Sequence, residues 1–203
     1  MRIESARYFF LALIVASAGI VSSQEAAVAP KPWSAQWVTD LSVPQRDEAV
    51  LHFRKTIELS QIPAHFVVHV SADNQFVFYV NQKRVGSGPS RSDLAHWRYE
   101  TYDLAPLLKP GQNILAATVW NFGTHSALAQ MSDRIAFLVH GAGDVERAVD
   151  TGPSWQVERE TGIQTMAPTV RGYYAAEPGE RLQSSRVRRK LPVLPDGTAG
   201  NQT

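Results

Sequence analysis

Short apolar runs recur along the chain with the period of strands, separated by clusters of turn-forming residues. Between Val50 and Leu59, one side carries Leu51, Phe53, Lys55, Ile57 and Leu59, and the other carries His52, Arg54, Thr56 and Glu58. A period of two with one mainly apolar side predicts a strand that buries that side. His65–Val70 repeats the pattern, with Phe66, Val68 and Val70 together. Gln75–Val80 is apolar on both sides, which places it centrally or beneath a covering segment. The following Asn81-Gln82-Lys83-Arg84 reads as a hairpin turn, because Asn tolerates the left-handed backbone, and Val85–Pro89 reads as the return strand. Ile114–Trp120 and Arg134–His140 are two further strands, with Val145–Val149 and Trp155–Val157 as weaker segments.

Between the strands, Ser90–Tyr102 and Asn121–Asp133 read as loops. Asp103–Leu108 reads as a single helical turn capped by Asp103, with a tight turn over Lys109–Asn113 after it. Past the N-terminal segment, no window of about 12 residues has helical periodicity. Many short strands joined by turns predict an all-β sandwich.

The two ends read differently. Arg2 and Arg7 precede an apolar and small-residue run, Tyr8–Val21, which is 14 residues long. That is short of the ~20 residues that span a bilayer. With Val21-Ser22-Ser23 before Gln24, residues 1–23 are expected to be a signal peptide, which implies a secreted or periplasmic protein with no membrane association after cleavage. Residues 24–32, rich in Ala and Pro, are expected to be a linker, and residues 33–180 the sandwich. Residues 181–203, with Arg181, Arg186, Arg188, Arg189 and Lys190, have too little apolar area to offset chain entropy and are expected to be a disordered tail.

Composition removes several classes of function. Lys plus Arg number 20 against 19 Asp plus Glu, so nothing favours nucleic acid or an anionic membrane. The chain has no Cys, hence no disulfide framework and no thiol nucleophile. No Gly-x-Ser-x-Gly stands between a strand and a helix. The histidines (His52, His65, His69, His96, His125 and His140) are scattered, and His65 and His69 on one strand face would lie ~13 Å apart, too far for one ion. No metal or cofactor is indicated, and no Asp/Asn-rich loop argues for calcium. Glycoside hydrolysis would require two opposed carboxyl groups. Asp93, Glu100 and Asp103 form the densest acidic group, but Asp103 reads as a cap and the other two as exposed loop residues.

The distinctive segment is Arg91–Tyr102. Aromatic faces stack on the C–H faces of sugars, while Arg, Asp and His exchange hydrogen bonds with hydroxyls. Trp97 and Tyr99 share a face if the segment is extended. Arg91, Asp93, His96, Trp97 and Tyr99, together with Trp120 and Phe122 near the second loop, are therefore candidates for binding carbohydrate or docking a neighbouring domain. The alternative is that Trp97 and Tyr99 complete the sandwich core.

These residues resemble the N-terminal domain of bacterial α-L-rhamnosidases. The likeness rests on Ser71-Ala72-Asp73-Asn74, Phe78-Tyr79-Val80-Asn81, Val85-Gly86-Ser87-Gly88-Pro89, Trp97-Arg98-Tyr99-Glu100-Thr101-Tyr102-Asp103-Leu104, Leu108-Lys109-Pro110-Gly111-Gln112-Asn113 and Val119-Trp120-Asn121-Phe122-Gly123, in that order. It extends over about Trp33–Glu180. The stretch Asp103–Asn113 is shared by many galactose-binding-like jelly rolls, including those of β-galactosidases, whereas Gly88–Leu104 is narrower. Gln82 departs from the pattern, since the family usually has Gly after Asn81.

The resemblance implies a galactose-binding-like jelly-roll sandwich from an enzyme that removes terminal α-L-rhamnose by inversion. It also implies that the acid and base belong to a separate α/α-barrel, so no catalytic residue is carried over. The expected partners are rhamnose-containing glycans or a catalytic glycosidase domain. The expected role is a non-catalytic module of a truncated chain, inactive alone. The rival readings are a free-standing sugar-binding module, a structural docking domain, and the jelly roll of a β-galactosidase-type enzyme.

Overall fold

The computed structural model describes residues 32–166 and 178–183. The expected signal peptide, nearly all of the linker and the tail beyond residue 183 lie outside the described residues. The strands are β1 (Ala49–Leu59), β2 (Val67–Asp73), β3 (Gln75–Val80), β4 (Lys83–Gly88), β5 (Glu100–Asp103), β6 (Gly111–Asn121), β7 (Ala136–Gly141), β8 (Gln156–Glu160), β9 (Ile163–Thr165) and β10 (Glu180–Leu182). Among the described residues there is no α-helix. Short 3₁₀ turns occupy Ala105–Leu107, Gly123–His125 and Glu146–Val149.

The strands form an antiparallel five-stranded sheet, β4-β3-β6-β1-β8, a three-stranded sheet, β5-β2-β7, and the hairpin β9-β10. The protein is an all-β sandwich, and alternation decides which side chains fill it. Leu51 and Phe53 of β1, Phe76, Phe78 and Val80 of β3, and Leu115, Ala117 and Val119 of β6 face inward from the large sheet. Phe66, Val68, Val70 and Ala72 in and before β2, with Ile135, Phe137 and Val139 in and before β7, face them from the small sheet. Phe137 lies at the centre. Its ring centroid is 5.2 Å from Phe53, 5.5 Å from Trp155, and 6.2 Å from both Phe76 and Phe78.

Several sequence boundaries shift. The end of the expected loop, Glu100–Tyr102, is strand β5, because its backbone pairs with β2 from Val67↔Asp103 to Val70↔Glu100. Its polar composition had hidden this. Strand β6 begins three residues earlier than its apolar run, because it pairs with β1 along its whole length, from Ala49↔Asn121 to Leu59↔Gly111. Val145–Val149 contains a 3₁₀ turn rather than a strand, and β10 carries pairing as far as Leu182.

The β3–β4 hairpin is tighter than expected. Val80 pairs with Lys83, leaving a two-residue connection with Asn81 at φ 49° and Gln82 at φ 67°. Two left-handed residues are the type I′ geometry, so Gln82 stands where Gly fits best. The motif asparagines act as locks. Asn81 Nδ2 donates to Leu107 O and to Asn113 Oδ1, and its Oδ1 accepts the Ile114 N–H. Asn113 in turn closes the Lys109–Gly111 turn on itself. Elsewhere, Gly123 (φ 54°) allows the backbone of Asp47–Glu48 to pass so closely that a Cβ there would sit 2.6 Å from Glu48 N.

Candidate functional site: an aromatic groove on the small sheet

Strand alternation in β2 points Val68, Val70 and Ala72 into the core, so His69 and Ser71 face outward. The loop before β5 crosses that outward face. Ser71 Oγ donates to Arg98 O at 2.7 Å, and Glu100 Oε1 accepts the Ser90 N–H at 3.1 Å, which pins the loop at both ends. From the other direction, Val38 exchanges both backbone hydrogen bonds with Phe137 at 3.0 and 2.9 Å. Val38 thereby packs against the core, and its neighbour Trp37 faces out.

Two aromatic groups result. Trp33 stacks on His140 (4.8 Å) and His69 (5.5 Å), with Tyr99 edge-on to it at 5.0 Å. Burial, with His140 close by, lowers the pKa of His69, so neutral imidazole is favoured within this stack. Next to it, Trp37 and Trp97 stand at 90° with centroids 6.1 Å apart. They wall a groove of about 640 Å³ that also touches Thr39, Leu41, Leu94 and Ala136, with Asp73, Asp133 and Arg134 as its charged groups.

The groove is held from below by Asp73. Its Oδ1 accepts Asn74 Nδ2 (2.7 Å) and Asn121 Nδ2 (3.3 Å), and its Oδ2 accepts the N–H groups of Asp133 (2.7 Å) and Arg134 (2.9 Å). Burial pushes this carboxyl upward in pKa, against the pull of those donors. Asp133 is held below the usual range, first by Arg134 Nε at 2.9 Å and also by Arg46, whose Nη2 lies 3.3 Å away.

One raised and one lowered carboxyl at a single groove invites comparison with an acid–base pair. Asp73 does not fit that role. It is 3% exposed, and both of its oxygens already accept N–H groups, so neither is free for a substrate.

With this geometry in view, the chain can be compared with known proteins. No family model matches it, and no curated protein matches it. Solved structures do. It superposes on the GH78 family rhamnosidase of Bacillus sp. GL1 with a TM-score of 0.69 and 24% identity, over 82% of this chain and 18% of that one. It also superposes on the α-L-rhamnosidase from Dictyoglumus thermophilum with a TM-score of 0.58 and 15% identity, over 82% of this chain and 20% of that one. These likenesses establish a shared fold. The chain spans about a fifth of the length of the rhamnosidases it matches.

The sequence candidates separate in space. Trp97 walls the groove, and its Nε1 is buried without a hydrogen-bond partner. Tyr99 belongs to the neighbouring stack. Both rings lie outside the inter-sheet core, which answers the alternative that they complete it. Arg91 Nε donates to Gln130 at 3.3 Å. Asp93 turns back on its own loop, accepting the Ala95 and His96 N–H groups at 2.8 Å, with His96 Nδ1 at 3.0 Å. Trp120 lies half-buried on the outward face of the large sheet, away from Trp97. Phe122 is only 4% exposed.

The remaining acidic candidates have local work. Glu100 ties Ser90, and Asp103 accepts the N–H groups of Phe66 (2.9 Å) and Ala105 (3.0 Å), with His65 Nδ1 at 2.7 Å. Asp103 is therefore not the cap that was expected: the N-cap position of the 3₁₀ turn is Leu104, which has no side-chain cap, while Asp103 sits one residue earlier in β5, accepts the Ala105 N–H and ties the approach to β2. Among the described residues, no three His, Asp or Glu side chains group to hold a metal ion. Sequence reasoning missed Trp33, Trp37, Asp133 and Arg134. Trp33 and Trp37 were visible as aromatics in a polar segment, but nothing local linked them to partners as distant in the chain as His69, Trp97, Tyr99 and His140.

Proposed function

We propose that the chain is a non-catalytic, carbohydrate-associated jelly-roll module of an exported α-L-rhamnosidase-type glycoside hydrolase, bracing or bordering the catalytic domain of such an enzyme. The observation that carries this reading is the superposition of 82% of the chain on less than a fifth of a GH78 rhamnosidase. The carboxyl groups support it as well. Asp73, Asp93, Glu100 and Asp103 each have a structural hydrogen-bonding role, and none stands free opposite another across a cleft. The exposed aromatic face of the small sheet, with Trp33, Trp37 and Tyr99 at 37%, 46% and 48% exposure, suits a surface that borders another domain or a glycan. The purified chain is expected to release no sugar from an aryl α-L-rhamnoside, and measurable release refutes the non-catalytic half. N-terminal sequencing of the mature protein tests export, with Gln24 expected as the first residue.

A second reading, a free-standing sugar-binding module, is favoured by one feature. The groove between Trp37 and Trp97 is concave and has polar groups at its rim, whereas a purely structural docking surface needs neither.

A further inference from the structure

We infer that the groove between Trp37 and Trp97 is the docking site of a segment of this same chain, Arg189-Lys190-Leu191-Pro192-Val193-Leu194-Pro195, held there as a polyproline II helix. The inference goes beyond the accessory-module reading and does not depend on it.

Four observations meet on this occupant. The first is spacing. Arg189, Pro192 and Pro195 recur every three residues, and a polyproline II helix has three residues per turn, so all three lie along one edge. Proline fixes its own φ near the polyproline II value, so holding such a segment costs little entropy. Proline-spaced segments dock into grooves walled by aromatic rings, and here two indoles stand at 90° with centroids 6.1 Å apart. Leu41 and Leu94, 84% and 51% exposed at the same groove, are apolar surface that the segment covers. The second observation is hydrogen bonding. The Trp97 Nε1–H is buried and has no acceptor among the described residues. A polyproline II helix makes no internal hydrogen bonds, so its carbonyls are free to accept from such a donor. Its prolines bring no N–H groups that would themselves need acceptors.

The third observation is charge. The half-exposed Asp133 carboxylate stands at the groove, and Asp73 fixes the backbone of Asp133 and Arg134, so this end is preorganised. One of the two guanidinium partners of Asp133 belongs to Arg46, whose side chain is 79% exposed, so Arg189 replaces a loosely held cation. The fourth is reach. Trp37, Thr39 and Leu41 of the groove share a second hollow with Val157 of β8. Further along that strand's path, Gly162 O accepts the Gln183 N–H at 2.8 Å, which anchors the last described residue. The path from Val157 to Gly162 spans at most about 18 Å, whereas the chain from Gln183 to Pro192 extends to about 30 Å, enough to return to the groove.

The test compares ¹⁵N spectra of the purified chain and its Pro192→Ala/Pro195→Ala variant, which leaves every residue of the sandwich in place. The Trp97 indole N–H and the amides of Leu94 and Asp133 are expected to differ between the two, and to keep the parent positions on tenfold dilution of the parent. A synthetic peptide of residues 186–197 added to the variant should restore those positions saturably. The same peptide with both prolines replaced by alanine should bind about tenfold more weakly, the worth of the lost ring burial. Trp97→Phe, which keeps an aromatic wall but removes the indole donor, should weaken the peptide about fivefold, the worth of one hydrogen bond.

Identical groove signals in the parent and the double-proline variant overturn the docking. Differences that vanish on dilution mean that a second copy supplies the segment, and they overturn docking within one chain. Peptide shifts that map away from Leu94, Trp97 and Asp133 overturn the groove as the site, and equal binding of the alanine peptide overturns the role of the proline spacing.

Discussion

Replacing Asp73 should destabilise the protein, because its carboxylate ties β2 of the small sheet to Asn121 of β6 in the large sheet and to the backbone of Asp133 and Arg134. The carboxylate accepts four N–H groups at 2.7 to 3.3 Å and is 3% exposed. Hydrogen bonds to a charged acceptor contribute about 1.5 to 3 kcal/mol each. Four at the low end would sum to about 6 kcal/mol. Part of that is offset, because burial disfavours the charged carboxylate, as its upward pKa shift indicates. A net loss of about 3 kcal/mol is therefore expected for Asp73→Ala, in the range for breaking a buried charged network. In a domain of about 150 residues this lowers Tm by about 6 to 12 °C.

Asp73→Asn is the sharper probe. It keeps size and shape but sets an NH₂ group against N–H donors on one side, so it should still cost about 2 kcal/mol. Urea and thermal unfolding at neutral pH, followed by circular dichroism, measure both. If Asp73→Asn unfolds within about 0.5 kcal/mol of the parent, the residue fills space rather than organising donors, and the account of a preorganised groove fails with it.

Gln82→Gly should stabilise the protein by about 1 kcal/mol, since Gln82 at φ 67° occupies a left-handed position that Gly adopts without steric strain; an unchanged or lower urea midpoint would contradict this. Asp103 has its pKa lowered to about 2, first by the Phe66 N–H, then by His65 and the Ala105 N–H. Its contribution is thus present above the usual carboxylate pKa and is lost as pH falls through about 2. Asp103→Asn should flatten the decline in stability between about pH 4 and pH 2, and an identical pH profile would rule the linkage out. Phe137→Ala should cost about 3 to 5 kcal/mol, because the ring is fully buried among four other aromatic rings.

The alternating runs in the sequence were enough to identify an all-β chain and the inward faces of β1 and β2, whereas runs apolar on both sides, such as β3, left the inward face open. Burial on one face leaves a period-two signature that any reader of the residues can find. The motif residues Asn81, Asn113 and Gly123 were also legible, the two asparagines as turn residues and Gly123 only as part of a pattern, but none with its partners. Their purpose is to satisfy or permit backbone at the ends of the sandwich, and it becomes visible only when the partners Leu107, Ile114 and Glu48 are in place. Strand β5 escaped because its pairing is made by backbone groups that every residue has, whereas its side chains are polar.

The candidate site was half legible. Trp97 and Tyr99 were read as sharing a face if their segment is extended, and the structure puts them in two neighbouring aromatic groups, Trp97 against Trp37 and Tyr99 against Trp33. Their companions were not readable. Trp37 reaches Trp97, and Trp33 reaches His69 and His140, only because the segment before β1 bridges to β7 on the far side of the chain. Grouping Trp120 and Phe122 with them was natural in one dimension, but β6 lies in the other sheet and the end of the sandwich buries Phe122. A sequence records which side chains one segment turns to the same side. Which segments share that side is decided by sheet order, through hydrogen bonds between backbones that carry no residue-specific mark.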